Sequence, residues 1–212
     1  IFPYELRFLR AYFYFELFKA YGDVPLVTTT LTNAQANNIE RTSADQIVKF
    51  IVDALPIKHD SKVLDTSCGS GGFLLYALNK VRNKATELYP NYAKDVRQHD
   101  RWFKYWHDFA EKNLYGIEIS EQISRAAKMN MIIHDDGHTN VITSDGLVSD
   151  ETIIAKTNNH GFKYGTFDFI ITNPPFGSTV RQSEQAYLKT YQLGKKEEDW
   201  LAVATPLQNI RD

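Results

Sequence analysis

Hydrophobic and polar positions change their period along the chain. Four short apolar runs, rich in β-branched and aromatic residues, are typical of buried strands: 63–64, 113–119, 139–143 and 167–172. Amphipathic runs at helical spacing lie between them, at 73–81 and 121–133. In the second of these we expect four residues to face a sheet: Ile123, Ala126, Ala127 and Asn130. Strands that alternate with helices predict an α/β fold with parallel strands.

The first part of the chain has a different pattern. Residues 4–20 are aromatic-rich and helical, and one face of this helix is expected to pack into a core: Leu6, Leu9, Phe13 and Leu17. Charged residues within the run exclude a membrane span, and Gly22 is a suitable helix stop. Ser43 and Gln46 have the spacing of a capping box for the next helix.

A loop of small residues follows the first apolar run. This glycine loop begins at the acid that ends the run and comprises Asp65, Thr66, Ser67, Cys68, Gly69, Ser70, Gly71 and Gly72. Glycines let the backbone turn sharply and approach a ligand closely, and the helix that follows offers unpaired N–H groups. The loop lacks both the dinucleotide spacing and the Gly-Lys-Ser/Thr of phosphate loops. It therefore favours a ligand with ribose and adenine but little phosphate, such as S-adenosylmethionine.

A second motif ends the run 167–172. Pro174 and Pro175 stop a strand abruptly, so Asn173 lies at the carboxyl edge of the sheet, where open α/β sheets bind ligands. Together and in this order, the stretches 65–74 and 173–176 resemble the amino-group DNA methyltransferases. The first stretch is similar in particular to the modification subunit of type I restriction systems, and the resemblance covers residues 46–212.

The resemblance implies a fold and a donor site. The fold is a Rossmann-like S-adenosylmethionine-dependent methyltransferase sheet, and this chain, which begins at Ile1, is expected to be a fragment that lacks the last strands. The glycine loop holds the donor, Glu118 accepts hydrogen bonds from its ribose hydroxyls, and the acid of Asp145-Gly146 receives its adenine amino group. An isolated Asp-Gly would otherwise indicate a turn.

The resemblance also implies N6 methylation of adenine in DNA. The side-chain carbonyl of Asn173 and the backbone carbonyl of Pro174 can accept the two amino hydrogens, Pro175 stiffens the turn, and Phe176 stacks on a flipped-out base. No covalent nucleophile is needed, so Cys68 is expected to be a small residue beside the ligand. No Cys/His zinc spacing occurs, and we expect no metal.

Composition and charge limit the partners. The chain has 43% hydrophobic residues and a net charge of −2, which is typical of a globular protein without a cationic field for nucleic acid. DNA contacts are therefore local or supplied by partners, and the resemblance implies specificity and restriction subunits. One cysteine fits a reducing compartment, the cytoplasm. The basic and aromatic segment 79–112 is consistent with nucleic-acid binding, but its acids favour a solvated face. Likewise, His134, Asp135, Asp136 and His138 favour a solvated loop over a metal site.

Residues 1–45 carry a separate resemblance. The stretches 8–17, 21–27 and 41–45 resemble the SusD/RagB family of glycan-binding lipoproteins. This predicts a helical segment of foreign origin joined near Asp45 to a partial methyltransferase domain, 46–212. Two alternatives remain open: a glycan-binding module in the first segment, and an inactive cofactor-binding fragment.

Overall fold

The computed structural model describes residues 2–134 and 140–174, and the chain divides into two compact units, 1–56 and 57–212. The predictions for Asp135, Asp136, His138, Pro175 and Phe176 lie outside the described residues. None of the described helices has the length and apolarity that a membrane crossing requires.

The first unit contains three helices: α1, Phe2–Tyr21; α2, Asn33–Asn37; and α3, Ala44–Ala54. The predicted stop at Gly22 is confirmed, because α1 ends one residue earlier and Gly22 has a φ of 65°. A buried cluster joins α1 and α3 to the segment between them: Tyr14, Val24, Ile47 and Ile51. The Tyr14 hydroxyl accepts a hydrogen bond from the backbone N–H of Val27 at 2.6 Å, which holds that segment against α1.

The predicted buried face of α1 is wrong. Leu6, Leu9, Phe13 and Leu17 are 41–61% exposed, whereas Ala11 and Tyr14 are buried. Apolar residues surround this helix on all sides, so their spacing does not single out one face. The hydrogen bond between Tyr14 and Val27, which spans 13 positions, is what orients the helix.

The predicted capping box of α3 is also wrong. Ser43 is the N-cap residue of α3, but its side chain makes no capping hydrogen bond. Instead, Asp23 Oδ1 accepts the backbone N–H of Ala44 at 2.7 Å. A carboxylate competes well for a free N–H at a helix start, since it also interacts favourably with the helix dipole.

The predicted boundary near Asp45 stays a prediction. Tyr14 and Val24 share their buried cluster with Ile47 and Ile51, which lie beyond that boundary, and the compact unit extends to residue 56. This shared cluster weighs against an unrelated origin for the two segments. The resemblance of residues 1–45 to glycan-binding proteins likewise stays a prediction.

In the residues that the structure describes, the second unit is built on a four-stranded sheet, as predicted. Its strands are β1, Val63–Asp65; β2, Leu114–Glu118; β3, Asn140–Thr143; and β4, Phe169–Ile170. The order is β3-β2-β1-β4, and every neighbouring pair is parallel. The chain moves from β1 outwards to β3 and then returns to place β4 on the other side of β1. The point where the strand order reverses therefore lies between β1 and β4.

The helices that follow the strands cover both faces of this sheet. They are α4, Gly72–Leu88; α5, Val96–Asn113; α6, Glu121–Ile133; and α7, Asp150–Thr157. Ile153 of α7 packs with Leu64, Ile117 and Ile142 on one face. On the other face a Cβ at Gly116 would lie 2.7 Å from Leu74 of α4, so glycine permits a close helix-to-strand approach.

The bounds of α6 match the prediction residue for residue, but its predicted inner face is wrong in part. Ala127 is buried as expected, together with Ser124 and Met131, while Ile123 is 45% exposed. The Ser124 hydroxyl lies 2.7 Å from that of Thr143 on β3. This polar contact lets a serine face the sheet, so apolar spacing alone selects the wrong stripe.

The segment 79–112 has the solvated character that its acids favour. Trp106 and Phe109 of α5 are buried, whereas Arg97, Arg101 and Lys104 lie on the exposed side. The guanidinium of Arg82 on α4 stacks over Trp106 at 4.3 Å from the ring centroid. Aromatic residues therefore join α5 to α4 while the charges face water.

Candidate functional site

The predicted site residues lie at the carboxyl edge of the sheet. Asp65 and Glu118 are the last residues of β1 and β2. Asp145 follows β3 by two residues, and Asn173 follows β4 by three. Parallel strands end at the same edge, which explains why positions more than a hundred residues apart come together.

Local hydrogen bonds shape the glycine loop. Asp65 Oδ1 accepts the N–H of Ser67 at 3.0 Å, and the N–H of Cys68 donates to the carbonyl of Ile117 on β2 at 2.9 Å. Gly69 and Gly71 have φ values of 54° and 89°, a region that disfavours side chains. These two glycines turn the chain from β1 into α4.

Glu118 joins β2 to this loop. Its Oε2 accepts the N–H of Gly69 at 3.0 Å, and its Oε1 accepts the N–H of Ser120 at 2.8 Å. The carboxylate is largely buried, with 9% of the residue exposed. Each carboxylate oxygen can accept a second hydrogen bond, so the group retains capacity for a ligand.

Asp65 is a buried acid beside a second acid. Burial raises the pKa of Asp65 to about 7, and the charge of Glu118 raises it as well. Hydrogen bonds from Ser67 and Thr172 oppose this rise. Buried negative charge of this kind favours a cationic ligand.

Cys68 lies in the loop between these acids. Burial raises the pKa of the Cys68 thiol, and the charges of Asp65 and Glu118 raise it further. The thiol therefore stays protonated at neutral pH and is a poor nucleophile.

Gly146 packs tightly against the glycine loop. A Cβ at this position would lie 2.8 Å from the backbone oxygen of Thr66. The carbonyl of Gly146 accepts the hydroxyl of Tyr164 at 3.1 Å, and Asp145 Oδ1 accepts the N–H of Leu147 at 2.9 Å. The Asp-Gly pair thus forms a turn that contacts the loop after β1.

The second motif approaches the same loop through the residue that precedes it. Thr66 Oγ1 donates to Thr172 Oγ1 at 3.2 Å, across 106 positions of sequence. Asn173 is exposed and Pro174 is buried. Pro175 and Phe176 lie outside the described residues, so their predicted roles stay predictions.

Two contacts at this edge involve residues that are not among the predicted site residues. Thr172 joins the loop to the second motif, and Asn130 Nδ2 on α6 donates to the carbonyl of Ser70 at 3.0 Å. The signal was present in both cases. A hydroxyl directly precedes Asn173, and the amide of Asn130 lies on the helix face that was predicted to pack against the sheet.

A separate group of polar residues on α5 has an ordinary explanation. Ligand atoms of His107, Asp108 and Glu111 lie within 4.8 Å of one another. However, Asp108 is already paired with Lys104 at 2.6 Å and Lys112 at 3.1 Å. The hydrogen bond from Lys104 is the main reason why the pKa of Asp108 lies below its usual value. This arrangement is typical of an ion-pair network on a helix surface.

Comparison with curated proteins gives restriction enzymes and their methylase subunits among the relatives. The type II restriction enzyme and methyltransferase RM.BcgI of Heyndrickxia coagulans is 30% identical over 139 residues, 66% of this chain and 18% of that protein. The type I restriction enzyme EcoEI methylase subunit of Escherichia coli is 25% identical, over 63% of this chain and 22% of its own length. This chain thus spans about a fifth of the length of these relatives.

Solved structures share the fold. A modification subunit assigned to a type I restriction enzyme of Vibrio vulnificus YJ016 aligns with a TM-score of 0.53 at 20% identity. The alignment covers 98% of this chain and 34% of that one. The family model for N-6 DNA methylases matches residues 40–205, which include the glycine loop and the second motif. The chain therefore belongs to the N-6 DNA methylase family.

Proposed function

We propose that this chain forms the donor and amino-group site of an S-adenosylmethionine-dependent adenine N6 DNA methyltransferase, within the modification subunit of a type I restriction-modification system. One observation carries the proposal. The glycine loop after β1 and the second motif after β4 flank the point where the strand order reverses, and Thr66 Oγ1 lies 3.2 Å from Thr172 Oγ1. Open α/β sheets bind ligands at such a point.

The described residues fit such a donor. Asp65 is buried beside Glu118, so a cationic sulfonium compound suits the site better than a phosphate-rich one. A Cβ at Gly146 would collide with the backbone of Thr66, so the turn and the loop can form a closed cradle only with glycine at this position. The buried hydroxyl of Ser144, beside Asp145, has no hydrogen-bond partner in the described part of the chain.

The donor-binding roles are those that the family resemblance implies, and these positions support them. The glycine loop and the start of α4 supply backbone N–H groups. Glu118 accepts the ribose hydroxyls with its remaining lone pairs, and Asp145 and Gly146 bind the adenine end. S-adenosylmethionine supplies an activated methyl group when bound.

In this proposal the residues of the chain contribute to the reaction by positioning the adenine amino group. An exocyclic amine on adenine is a weak nucleophile, because its lone pair is delocalised into the ring. Asn173 Oδ1 and the carbonyl of Pro174 accept the two amino hydrogens, which directs the lone pair towards the methyl group. Asn173 is exposed and can meet a flipped-out base. Stacking by Phe176 and stiffening by Pro175 complete the proposed pocket.

The proposed partners are DNA and the other subunits of the complex. Two relatives named above are a restriction enzyme that is also a methyltransferase and a type I methylase subunit. The net charge of −2 leaves little long-range attraction for DNA. We therefore expect a specificity subunit to supply target recognition, in the cytoplasm.

The test measures two activities of the chain separately. Calorimetry follows S-adenosylmethionine binding to wild type, Asp65→Ala and Asn173→Ala, and methyl transfer to adenine is followed with a radiolabelled donor and DNA. We expect Asp65→Ala to lose binding, and Asn173→Ala to retain binding but lose at least about 10²-fold in transfer.

Two results would contradict parts of this proposal. Absence of donor binding in wild type would exclude the donor site in this chain. Binding without transfer would instead favour the second candidate, a cofactor-binding fragment whose catalysis requires the rest of the relatives' length.

A further inference from the structure

We propose that Asn130 is a positioning residue, which fixes the peptide group between Ser70 and Gly71 in the glycine loop and thereby sets the affinity for the amino-acid end of the donor. The proposal deepens the function given above and rests on it for the identity of the ligand. In this scheme Asn130 touches neither the donor nor the base. It acts from α6 through the backbone of the loop.

One stripe of α6 makes the contact with the glycine loop. Asn130 Nδ2 donates to the carbonyl of Ser70 at 3.0 Å, across 60 positions of sequence. A Cβ at Gly71 would lie 3.8 Å from Ala127 Cβ and 3.8 Å from Met131 Sδ, which is ordinary van der Waals contact. Positions three and four apart are neighbours on a helix surface. The loop is therefore packed and hydrogen-bonded against α6 at the same place.

Two hydrogen bonds hold the two ends of this peptide group. The N–H of Gly71 donates to the carbonyl of Cys68 at 2.8 Å, within the loop. The carbonyl of Ser70, in the same peptide group, accepts the amide of Asn130. Gly69 and Gly71, on either side of Ser70, have positive φ values, and glycine adopts both signs of φ about equally readily. Other orientations of the loop backbone are thus available at low cost, and the bond from α6 selects one of them.

Helix α6 is a rigid support for this bond. In its first turn, the Ser124 hydroxyl lies 2.7 Å from that of Thr143 on β3. Just after its last residue, the carbonyl of His134 accepts a hydrogen bond from the guanidinium of Arg82 on α4. Asn130 lies between these two attachments. Groups on a fixed helix position a site more precisely than groups on a loop, so Asn130 can hold the glycine loop at a constant distance from the sheet.

The orientation of the peptide group decides which charge a donor meets. S-adenosylmethionine has an amino-acid end with a carboxylate. A free carbonyl oxygen repels a carboxylate, whereas the N–H groups at a helix start attract one. The bond to Asn130 keeps the oxygen of Ser70 directed to α6, and α4 begins two residues later, at Gly72. The carboxylate then binds beside the loop, at the start of α4.

The amino-acid end is therefore the part of the donor that depends on Asn130. The proposed ribose and adenine contacts use Glu118 and Asp145, which follow from the ends of β2 and β3. Neither contact involves the peptide group between Ser70 and Gly71. Loss of the amide at position 130 should weaken ligands that have an amino-acid end and spare those that lack it.

The test uses two ligands that differ in this end. S-adenosylhomocysteine and methylthioadenosine share adenosine and a neutral thioether sulfur, but only the first has an amino-acid end. Calorimetry measures both on the full chain of 212 residues, as wild type, Asn130→Ala and Asn130→Asp. An ionised aspartate keeps the shape of the side chain but has no hydrogen to donate.

We expect an effect on one ligand alone. Asn130→Ala should bind S-adenosylhomocysteine about two- to tenfold more weakly, which is the change that the loss of one hydrogen bond produces. Asn130→Asp should bind it at least as weakly, because a carboxylate repels the carbonyl of Ser70. Both variants should bind methylthioadenosine as wild type does.

Asn113→Ala is the matched control. Asn113 Nδ2 also donates to the backbone carbonyl of a distant residue, that of His59 at 3.1 Å. However, Asn113 directly precedes β2 and therefore lies at the amino edge of the sheet, opposite the glycine loop. Removal of this amide should leave the affinity for both ligands unchanged.

Hydrogen exchange without ligand supplies a second readout. In Asn130→Ala the N–H of Gly71 should exchange about two- to tenfold faster than in wild type, because its peptide group is held at one end only. The N–H of Cys68 is bonded to Ile117 on β2 and should keep its wild-type rate. This comparison distinguishes a local change in the loop from a general loss of stability.

The outcomes separate the two proposals. Equal losses for both ligands, or wild-type affinity of Asn130→Ala for S-adenosylhomocysteine, would refute the role of Asn130 in a chain that binds the donor. An unchanged exchange rate of Gly71 in Asn130→Ala would refute it whether or not a ligand binds. If wild type binds neither ligand but the exchange rate of Gly71 changes as expected, the proposed function fails and the positioning of the loop stands.

Discussion

Glu118 Oε2 accepts the backbone N–H of Gly69 at 3.0 Å, although 49 positions separate the two residues. The second carboxylate oxygen accepts the N–H of Ser120 at 2.8 Å. One side chain at the end of β2 thus holds the glycine loop after β1 and the start of α6 at fixed distances from each other.

Glu118→Gln tests this relationship. A glutamine side chain has one accepting oxygen and one donating nitrogen, so either Gly69 or Ser120 loses its partner. An unsatisfied buried N–H costs about 1–3 kcal/mol, and urea unfolding should show a loss of this size together with weaker donor binding. The control is Glu121→Gln, since its side chain is 68% exposed and lies near the same helix start. Equal stability of Glu118→Gln and wild type would contradict the prediction.

The raised pKa of Asp65 predicts that the free energy of unfolding falls as the pH rises. Its pKa is about 7 in the folded chain against 3.8 as the reference value, so the folded state binds the proton more tightly. The stability contributed by protonated Asp65 is present below about pH 4 and declines as pH rises towards about 7. The cost of burying the charged form is on the order of 4 kcal/mol.

Asp65→Asn removes this titration while retaining the shape of the side chain. The free energy of unfolding of wild type should fall relative to the variant between pH 4 and pH 7, as measured by urea titration at each pH. Above pH 7 the variant should be the more stable protein, yet it should not bind the donor. Asp100→Asn, at a side chain that is 76% exposed, should reproduce the wild-type profile. A constant difference across this pH range would be evidence against a buried, titrating Asp65.

Gly146→Ala tests the contact between the Asp-Gly turn and the glycine loop. The added Cβ would lie 2.8 Å from the backbone oxygen of Thr66, which cannot move without displacing β1. We expect a loss of about 1–3 kcal/mol in unfolding free energy and reduced donor affinity. Gly72→Ala adds the same atom where no neighbour lies within 4 Å, so its fold should persist. The comparison requires thermal unfolding and calorimetry on both variants, and equal behaviour would rule out the steric explanation.

The first unit offers a test of helix capping. Asp23→Ala removes the oxygen that accepts the N–H of Ala44 at 2.7 Å and should cost about 0.5–2 kcal/mol. Ser43→Ala should have little effect, because the Ser43 side chain makes no capping bond. Denaturant unfolding compares the two. A larger stability loss in Ser43→Ala than in Asp23→Ala would support the predicted capping box instead.

Much of the second unit follows from local sequence alone. The alternation of short apolar runs and amphipathic runs correctly predicts four parallel strands, and α6 begins and ends at the predicted residues. Strand and helix propensity depend on neighbours within a few positions, so they can be read without the fold. The glycine loop and the Asn-Pro-Pro-Phe motif are likewise visible as short patterns.

The face of each helix that is buried is harder to predict from local sequence. The sequence suggests Leu6 and Phe13 for α1 and Ile123 for α6, whereas the structure buries Tyr14 and Ser124. In both helices a polar contact with a distant segment decides the orientation: Tyr14 with Val27, and Ser124 with Thr143. Apolar spacing carries no information on such contacts.

The sequence by itself determined the four strands and their order along the chain, the helices α1, α4 and α6, the family and the residue types of the proposed site. Only the tertiary structure decided that Glu118 bonds to Gly69, that Thr66 bonds to Thr172 beside the second motif, and that Asp65 is buried. The physical reason is the distance along the chain over which each kind of interaction acts. Propensities and motifs act along the chain, while hydrogen bonds between strand ends and the desolvation of a carboxyl group depend on which segments the sheet brings together.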